Sequence, residues 1–164
     1  AGMGTTLVVT VFRDSRLLVG HVGDSRAYRL RNGRLSQLTR DHSLLQGQLD
    51  AGLITAEQAS FSANKNLVTR AVGVEDTVLL ETNLHETQPG DIILLCSDGL
   101  SDMLSDDTIA QTLLAQQDHL ESAGRALVNS ENEDGGKDNI AVVLARVPGA
   151  PAVAQRSWWP PFRR

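Results

Sequence analysis

The sequence predicts an α+β fold in which antiparallel strands dominate and helices attach to them. Three observations carry that expectation. Apolar, β-branched runs recur between short turn signals from Thr5 to Thr39, and again at Asp91–Cys96 and Ile140–Val147. Asn32-Gly33 is the strongest short hairpin signal a sequence can give. The apolar spacing switches to a helical period after Asp41 and again after Ser105.

Taken in order, Thr5 to Arg13 is rich in β-branched residues, Asp14-Ser15 reads as a turn, and Arg16 to Gly23 reads as the return strand of a hairpin. Ser25 to Arg31 alternates Ala27, Tyr28 and Leu30 with Arg26, Arg29 and Arg31, then turns at Asn32-Gly33 into Arg34 to Thr39. The simplest arrangement is four consecutive antiparallel strands. Between Asp41 and Gly73, Leu44, Leu45, Leu49, Leu53 and Ile54 recur at roughly helical spacing, and Ser60 to Asn66 is polar and irregular. This predicts a short helical insertion with a mobile connection. Thr77 to His85 and Asp91 to Cys96 return to strand composition across the turn Gln88-Pro89-Gly90. Ser105 suits an N-cap, Asp106 and Asp107 suit the positive end of the helix dipole, and Ile109, Leu113 and Leu114 supply an apolar face. Leu120, Ala123, Leu127 and Val128 continue the period to about Asn129, and Ile140 to Val147 is a last strand. Pro148 to Arg164 is composed as a disordered tail. Trp158 and Trp159 beside arginines are the one feature suited to a membrane interface, and so short a segment would bind weakly, so membrane contact is not expected.

With 164 residues, 41% of them hydrophobic, the chain fits one domain with a real core. The 15 basic and 20 acidic residues leave a net charge of -5 with no long run of either sign, which argues against nucleic acid as a partner. The single cysteine, Cys96, excludes an internal disulfide and a cysteine-rich zinc site, and cytoplasm is the expected location. There is no run of about 18 apolar residues and no basic-then-apolar leader. Ala1-Gly2-Met3-Gly4 leads almost directly into the first strand, as if the chain were entered inside a domain.

The segment IILLCSDGLSD, Ile92 to Asp102, is apolar enough to be buried yet ends in two aspartates. An isolated buried carboxylate is prohibitively costly, so it needs a basic side chain, backbone N–H groups or a metal ion. Three acidic segments flank strands in this way: Gly23-Asp24-Ser25-Arg26, Ser97 to Asp102, and Asp134 to Asn139. If the strand ends converge, their oxygens suit hard divalent ions such as Mg²⁺ or Mn²⁺. Each segment also has a plain structural reading. Asp24 could pair with Arg26 in a turn, Asp102 could cap a helix, and Asp134 to Asn139 could be a solvated loop. The last lacks the acid spacing and closing glutamate of a calcium hand. His21, His42, His85 and His119 are never at metal spacing, so zinc is not expected and each reads as structural or superficial. Cys96 lies in an apolar run, and neither a Gly-x-Ser-x-Gly elbow nor a glycine-rich phosphate loop is present. Metal-bound water remains as the reactive group, with no side chain acting directly as acid or base.

In sequence order, Gly2-Met3-Gly4-Thr5-Thr6, Val22 to Tyr28, Leu38 to Ser43, Leu95 to Asp102 and Gly136-Lys137-Asp138-Asn139 closely resemble the metal-dependent protein phosphatases of type 2C, especially bacterial ones. The resemblance implies two antiparallel sheets packed as a sandwich and flanked by helices, with a Mn²⁺/Mg²⁺ centre of two, and in some members three, ions at one edge. It implies hydrolysis of phosphoserine and phosphothreonine in proteins, with phosphoproteins as substrates and a cognate Ser/Thr kinase as a companion in signal transduction. By motif position, Asp98 resembles the aspartate on the first metal, Asp138 its partner there, and Asp24 with Asp102 the ligands of a third, weaker ion. Residues 1–147 would be the phosphatase-like domain, 39–73 its flap beside the active site, and 148–164 a tail. Paired metals suit the reaction because they lower the pKa of a bridging water and neutralise the transferring phosphoryl group.

The family also carries, ahead of the Gly-Met-Gly-Thr-Thr block, a phosphate-gripping arginine, an acid on the first strand and an Asp-Gly-x-Gly-Gly loop bridging both metals. None of these is in this sequence. The expectation is the C-terminal part of a phosphatase domain, weakly active or inactive alone. The alternative is a non-catalytic module of the same fold that binds phosphoproteins or regulates a partner.

Overall fold

The computed structural model describes residues 3–60, 62, 67–133 and 139–149. Among the described residues, seven strands and five helices follow one another as β1 (Leu7–Arg13), β2 (Arg16–Val22), β3 (Arg26–Arg31), β4 (Arg34–Gln37), α1 (Leu44–Asp50), α2 (Ala56–Ser60), β5 (Glu81–Glu86), β6 (Ile92–Cys96), α3 (Asp98–Met103), α4 (Asp106–Ala115), α5 (Leu120–Glu133) and β7 (Val142–Arg146). They form two antiparallel sheets, of order β1-β2-β5 and β4-β3-β6-β7, with α3, α4 and α5 against the second.

Why Ile92–Cys96 is apolar at every position is now plain. Ile93 packs with Leu17, Val19 and Ala27 between the sheets. Ile92, Leu94 and Cys96 point the other way, onto Leu100, Ile109, Leu113, Ala123 and Leu127 of the helices. A strand covered on both faces has no solvent side to fill with polar residues. Burial pushes the Cys96 thiol up to about 12, so it behaves as an inert core residue.

The two hairpins are present but do not form one four-stranded meander. β1 pairs with β2 and β3 with β4, while β2 and β3 lie in different sheets. The chain crosses between them at Gly23, whose φ of 104° is a left-handed value that favours glycine. Asn32 and Gly33, at φ 51° and 78°, make the β3–β4 turn that their sequence announces.

Several element bounds differ from those the sequence suggested. β5 begins at Glu81 rather than Thr77, because its partner β2 reaches only to the His21↔Glu81 pair. Thr77 to Leu80 therefore lie outside any strand, with Leu79 exposed. β7 begins at Val142 rather than Ile140, opposite Cys96 where β6 ends. The Ser97–Asp102 loop is instead the short helix α3. The long helical period breaks at Gln116 and resumes in α5, which extends past Asn129 to Glu133. Ser105 does cap α4, accepting from the Thr108 amide, but Leu114 is partly exposed rather than part of the buried face. The helical insertion is present as α1 and α2; of its connection, residues 61 and 63–66 lie outside the described residues, as do residues 150–164 of the tail. No helix among the described residues is long and apolar enough to cross a membrane.

The entry to β6 is held by Asp91, only 2% exposed, whose two oxygens accept from Arg31 Nε and Nη2 at 2.7 and 2.6 Å. The Gln88 amide donates to the same carboxylate at 2.9 Å. Burial pushes this carboxyl up, but Arg31 and the Gln88 amide outweigh it and hold it below the usual range. A lowered folded value means stability that is present above the unfolded pKa of about 4 and is lost as pH falls through the folded one. Urea unfolding of Asp91→Asn at pH 7 is expected to show a loss on the order of 2 kcal/mol, below the usual cost of a broken buried pair because Arg31 is partly solvated. The loss should shrink in acid, and an equal loss at pH 7 and pH 2 would contradict this account.

Candidate metal centre

The antiparallel β3·β6 ladder ends at the Arg26↔Cys96 pair. Asp24 lies two residues before Arg26 and Asp98 two residues after Cys96. The register alone therefore brings both carboxylates to the same end of the second sheet. Asp102 follows Asp98 by one turn of α3, on the same side of that helix. All three line one cavity of about 240 Å³, together with Arg26, Asp41 and Ser101. Residues of α1 and α2, among them Leu49 and Ala59, form another wall of it.

Asp24 is 8% exposed. Burial raises its carboxyl above the ordinary range, the charge of Asp98 adds to this, and Asp41 and Asp102 push the same way against an opposing backbone hydrogen bond. Removal from water and nearby like charges both disfavour the ionised form of a carboxyl. The turn reading, in which Asp24 would pair with Arg26, does not hold. Arg26 is committed to Asp41, at 2.6 Å from Nη2 and 3.0 Å from Nε, and also donates to the Tyr28 hydroxyl at 3.1 Å. Nor does Asp102 cap the following helix, since Ser105 fills that role.

Asp98 accepts from the amide of Gly99 at 2.9 Å. Gly99 is needed there, because a Cβ would come within 2.9 Å of the Asn139 carbonyl oxygen. The Ser97 hydroxyl donates to that same carbonyl at 3.2 Å, while the Ala141 amide donates to the Ser97 hydroxyl at 3.1 Å. The segment that follows Asp138 in sequence is thus fastened to the start of α3. Asp138 itself lies outside the described residues.

Two histidines that spacing rules passed over do come together. His21 and His42 stack with centroids 4.6 Å apart and planes 18° apart. With Glu81 they are the one group of three or more metal-capable side chains among the described residues whose ligand atoms all lie within 4.8 Å. Their hydrogen bonds favour a proton-linked cluster over an ion. The Gly23 amide donates to His42 Nδ1 at 3.2 Å, which leaves the ring proton on Nε2, 3.1 Å from Glu81 Oε2. A metal at Nε2 would have to displace that proton while Nδ1 still accepts a hydrogen bond, an imidazolate-like state. No sequence spacing could reveal the cluster, since His21 and Glu81 meet by strand register and His42 arrives from the other sheet's hairpin.

Comparison with known proteins identifies the family. The chain matches the family profile "Protein phosphatase 2C" over residues 1–145. It is 41% identical over 143 residues to the serine/threonine phosphatase stp of Listeria monocytogenes, covering 87% of this chain and 56% of that protein. It is 42% identical over 149 residues to the serine/threonine protein phosphatase PstP of Mycobacterium tuberculosis, covering 89% of this chain and 28% of the relative. The chain thus spans little more than half the length of the Listeria relative. The crystal structure of the M. tuberculosis serine/threonine phosphatase PstP/Ppp superposes with a TM-score of 0.84 at 40% identity, covering 90% of this chain and 61% of that one. The PstP catalytic domain in complex with two manganese ions gives 0.79, also at 40% identity, covering 90% and 60%. Sheet order, motif placement and these likenesses together make the chain a member of the protein phosphatase 2C family, of the bacterial type.

Proposed function

We propose that this chain supplies one edge of a divalent-metal centre in a phosphatase that hydrolyses phosphoserine and phosphothreonine in proteins. The observation that carries the reading is the convergence of Asp24, Asp98 and Asp102 on one cavity, with the Asp24 carboxyl raised by burial and then by the charge of Asp98. The donor set fits the ion: carboxylate oxygens are the ligands that Mn²⁺ and Mg²⁺ prefer, and a cation would relieve the repulsion. The Mn²⁺-bound PstP catalytic domain supports the same choice. Asp98 and Asp138 would hold a first ion, and Asp24 with Asp102 a further, weaker one. When bound, such ions supply a water of lowered pKa and neutralise phosphoryl charge. The chain's own part is to fix the ligand carboxylates through the β3·β6 register and the α3 helix. The 39–73 segment, which walls the cavity through α1 and α2, would shape substrate access.

Residues 1–147 are read as the C-terminal part of a larger phosphatase domain. Support comes from the 56% coverage of the Listeria relative and from the outer face of the first sheet. There Leu7, Val9, Val11, Leu18 and Leu84 are 41–59% exposed, an apolar surface of the kind a completed domain covers. A signalling role opposite a companion Ser/Thr kinase follows from the family alone. No described feature favours the non-catalytic alternative.

Four outcomes are expected. Mn²⁺ should raise the melting temperature of this chain, and Asp98→Ala should weaken Mn²⁺ binding, read by calorimetry, roughly tenfold or more; unchanged binding would remove Asp98 from the centre. Asp24→Asn should stabilise the metal-free chain near neutral pH. A raised folded pKa means that stability falls as pH rises through it, and the neutral amide escapes that loss. The gain should vanish in acid and be smaller with Mn²⁺ present, as scanning fluorimetry can read. With Mn²⁺ and a phosphopeptide, the isolated chain should show little or no phosphate release. Turnover comparable to that of a complete bacterial relative would refute the partial-domain reading.

A further inference from the structure

Gly23 is gripped from three sides. Its amide donates to His42 Nδ1 at 3.2 Å, and its carbonyl accepts from the His42 amide at 2.9 Å. On the third side a Cβ would fall 2.4 Å from Thr6 Cγ2, and the Thr6 and Ser25 hydroxyls, 2.9 Å apart, close the turn. The residue between Gly23 and Ser25 is Asp24.

His42 is itself held. Its Nε2–H donates to Glu81 Oε2 at 3.1 Å, and the other Glu81 oxygen accepts from Asn83 Nδ2 at 3.2 Å. The His42 contact lowers the Glu81 carboxyl below its usual range; burial opposes this and the Asn83 bond adds to it, so Glu81 is a firm acceptor. The Arg70 guanidinium lies 3.5 Å from His42 Nε2. His21, fully buried, stacks on the ring and is anchored through Nε2 to the Arg40 carbonyl at 2.8 Å. Its Nδ1 has no hydrogen-bond partner, so the stack orients His42 by packing.

We infer that His42, in the tautomer imposed by Glu81, is a positioning residue that sets the direction of the Asp24 carboxylate into the metal cavity. The step is mechanical: a carboxylate reaches its cavity only through its own backbone, and here the preceding peptide is fixed by a reciprocal pair of hydrogen bonds to one histidine. A residue that orients a ligand in this way typically changes metal affinity by about 10–100-fold when lost. The inference rests on the proposal that Asp24 is a metal ligand.

The test is Mn²⁺ binding to the full chain, measured by calorimetry and by manganese electron spin resonance, for Asp24→Asn, His42→Ala, His42→Asn and Glu81→Leu. Asp24→Asn and His42→Ala are both expected to weaken the Asp24-dependent ion, the second roughly tenfold. His42→Asn should recover most of the loss, because its Oδ1 takes the place of Nδ1 as acceptor for the Gly23 amide, a rescue that a packing role would not show. If Asp24→Asn weakens binding and His42→Ala does not, the inference falls while the metal proposal stands. If Asp24→Asn has no effect, both fall. Should His42→Ala fail to fold, Glu81→Leu on the half-exposed β5 position decides: weakened binding supports the inference and unchanged binding overturns it. Nitrogen NMR of the wild-type ring adds a check free of any variant, since a proton on Nδ1 would overturn the assigned tautomer.

Discussion

The register of β3 against β6, in a sheet buried on both faces, is the constraint from which the rest of the site follows. β6 has the first sheet on one side and α3, α4 and α5 on the other, so neither its position nor its facing can slip. A shift of one residue would turn Ile92, Leu94 and Cys96 onto the wrong layer and cost several buried side chains at once. With the register fixed at Arg26↔Cys96, Asp24 and Asp98 have no choice but to share an edge. Hydrophobic burial, which has no interest in charge, thereby dictates where the charges meet.

That edge gathers acidic side chains, Asp24, Asp41, Asp98 and Asp102. Among the described residues, Arg26 is the one cation lining the cavity, and Asp41 engages it through three hydrogen bonds. Its guanidinium therefore stiffens the wall, linking β3 to the start of the helical insertion, while the Asp24 carboxyl stays raised by burial and by the charge of Asp98. A folded protein tolerates such crowding only at some loss of stability, which is why perturbed carboxylates of this kind gather at functional sites. The same physics runs in the opposite sense at Asp91, where a bidentate arginine makes a nearly buried carboxylate a source of stability.

The first sheet contributes differently. Its inner face joins the core through Leu17 and Val19, while its outer face leaves leucines and valines partly in solvent. At one end, His21 and Glu81 leave the apolar interior and meet His42, so the loop that bears Asp24 is tied to both sheets. The candidate metal edge is thus supported from two layers.

Much of this was legible in the sequence. The hairpin at Asn32-Gly33, the double-sided apolar strand at Ile92–Cys96, the Ser105 cap and the acidic segments at Asp24 and Asp98 are local features, written in propensities and periods that act over a few residues. Their order along the chain also sufficed to suggest the family. What the sequence could not determine was anything set by a distant partner. β5 begins at the His21↔Glu81 pair and β7 opposite Cys96, Arg26 pairs with Asp41 rather than with the nearer Asp24, and α3 stands in place of a loop because packing against α5 and the Asn139 backbone holds it. The His21–His42–Glu81 cluster belongs wholly to this second kind. Its members are remote in the chain, and only the closing of two sheets over one core brings them within reach, because long-range contacts are decided by which surfaces can be buried together rather than by which residues are neighbours in sequence.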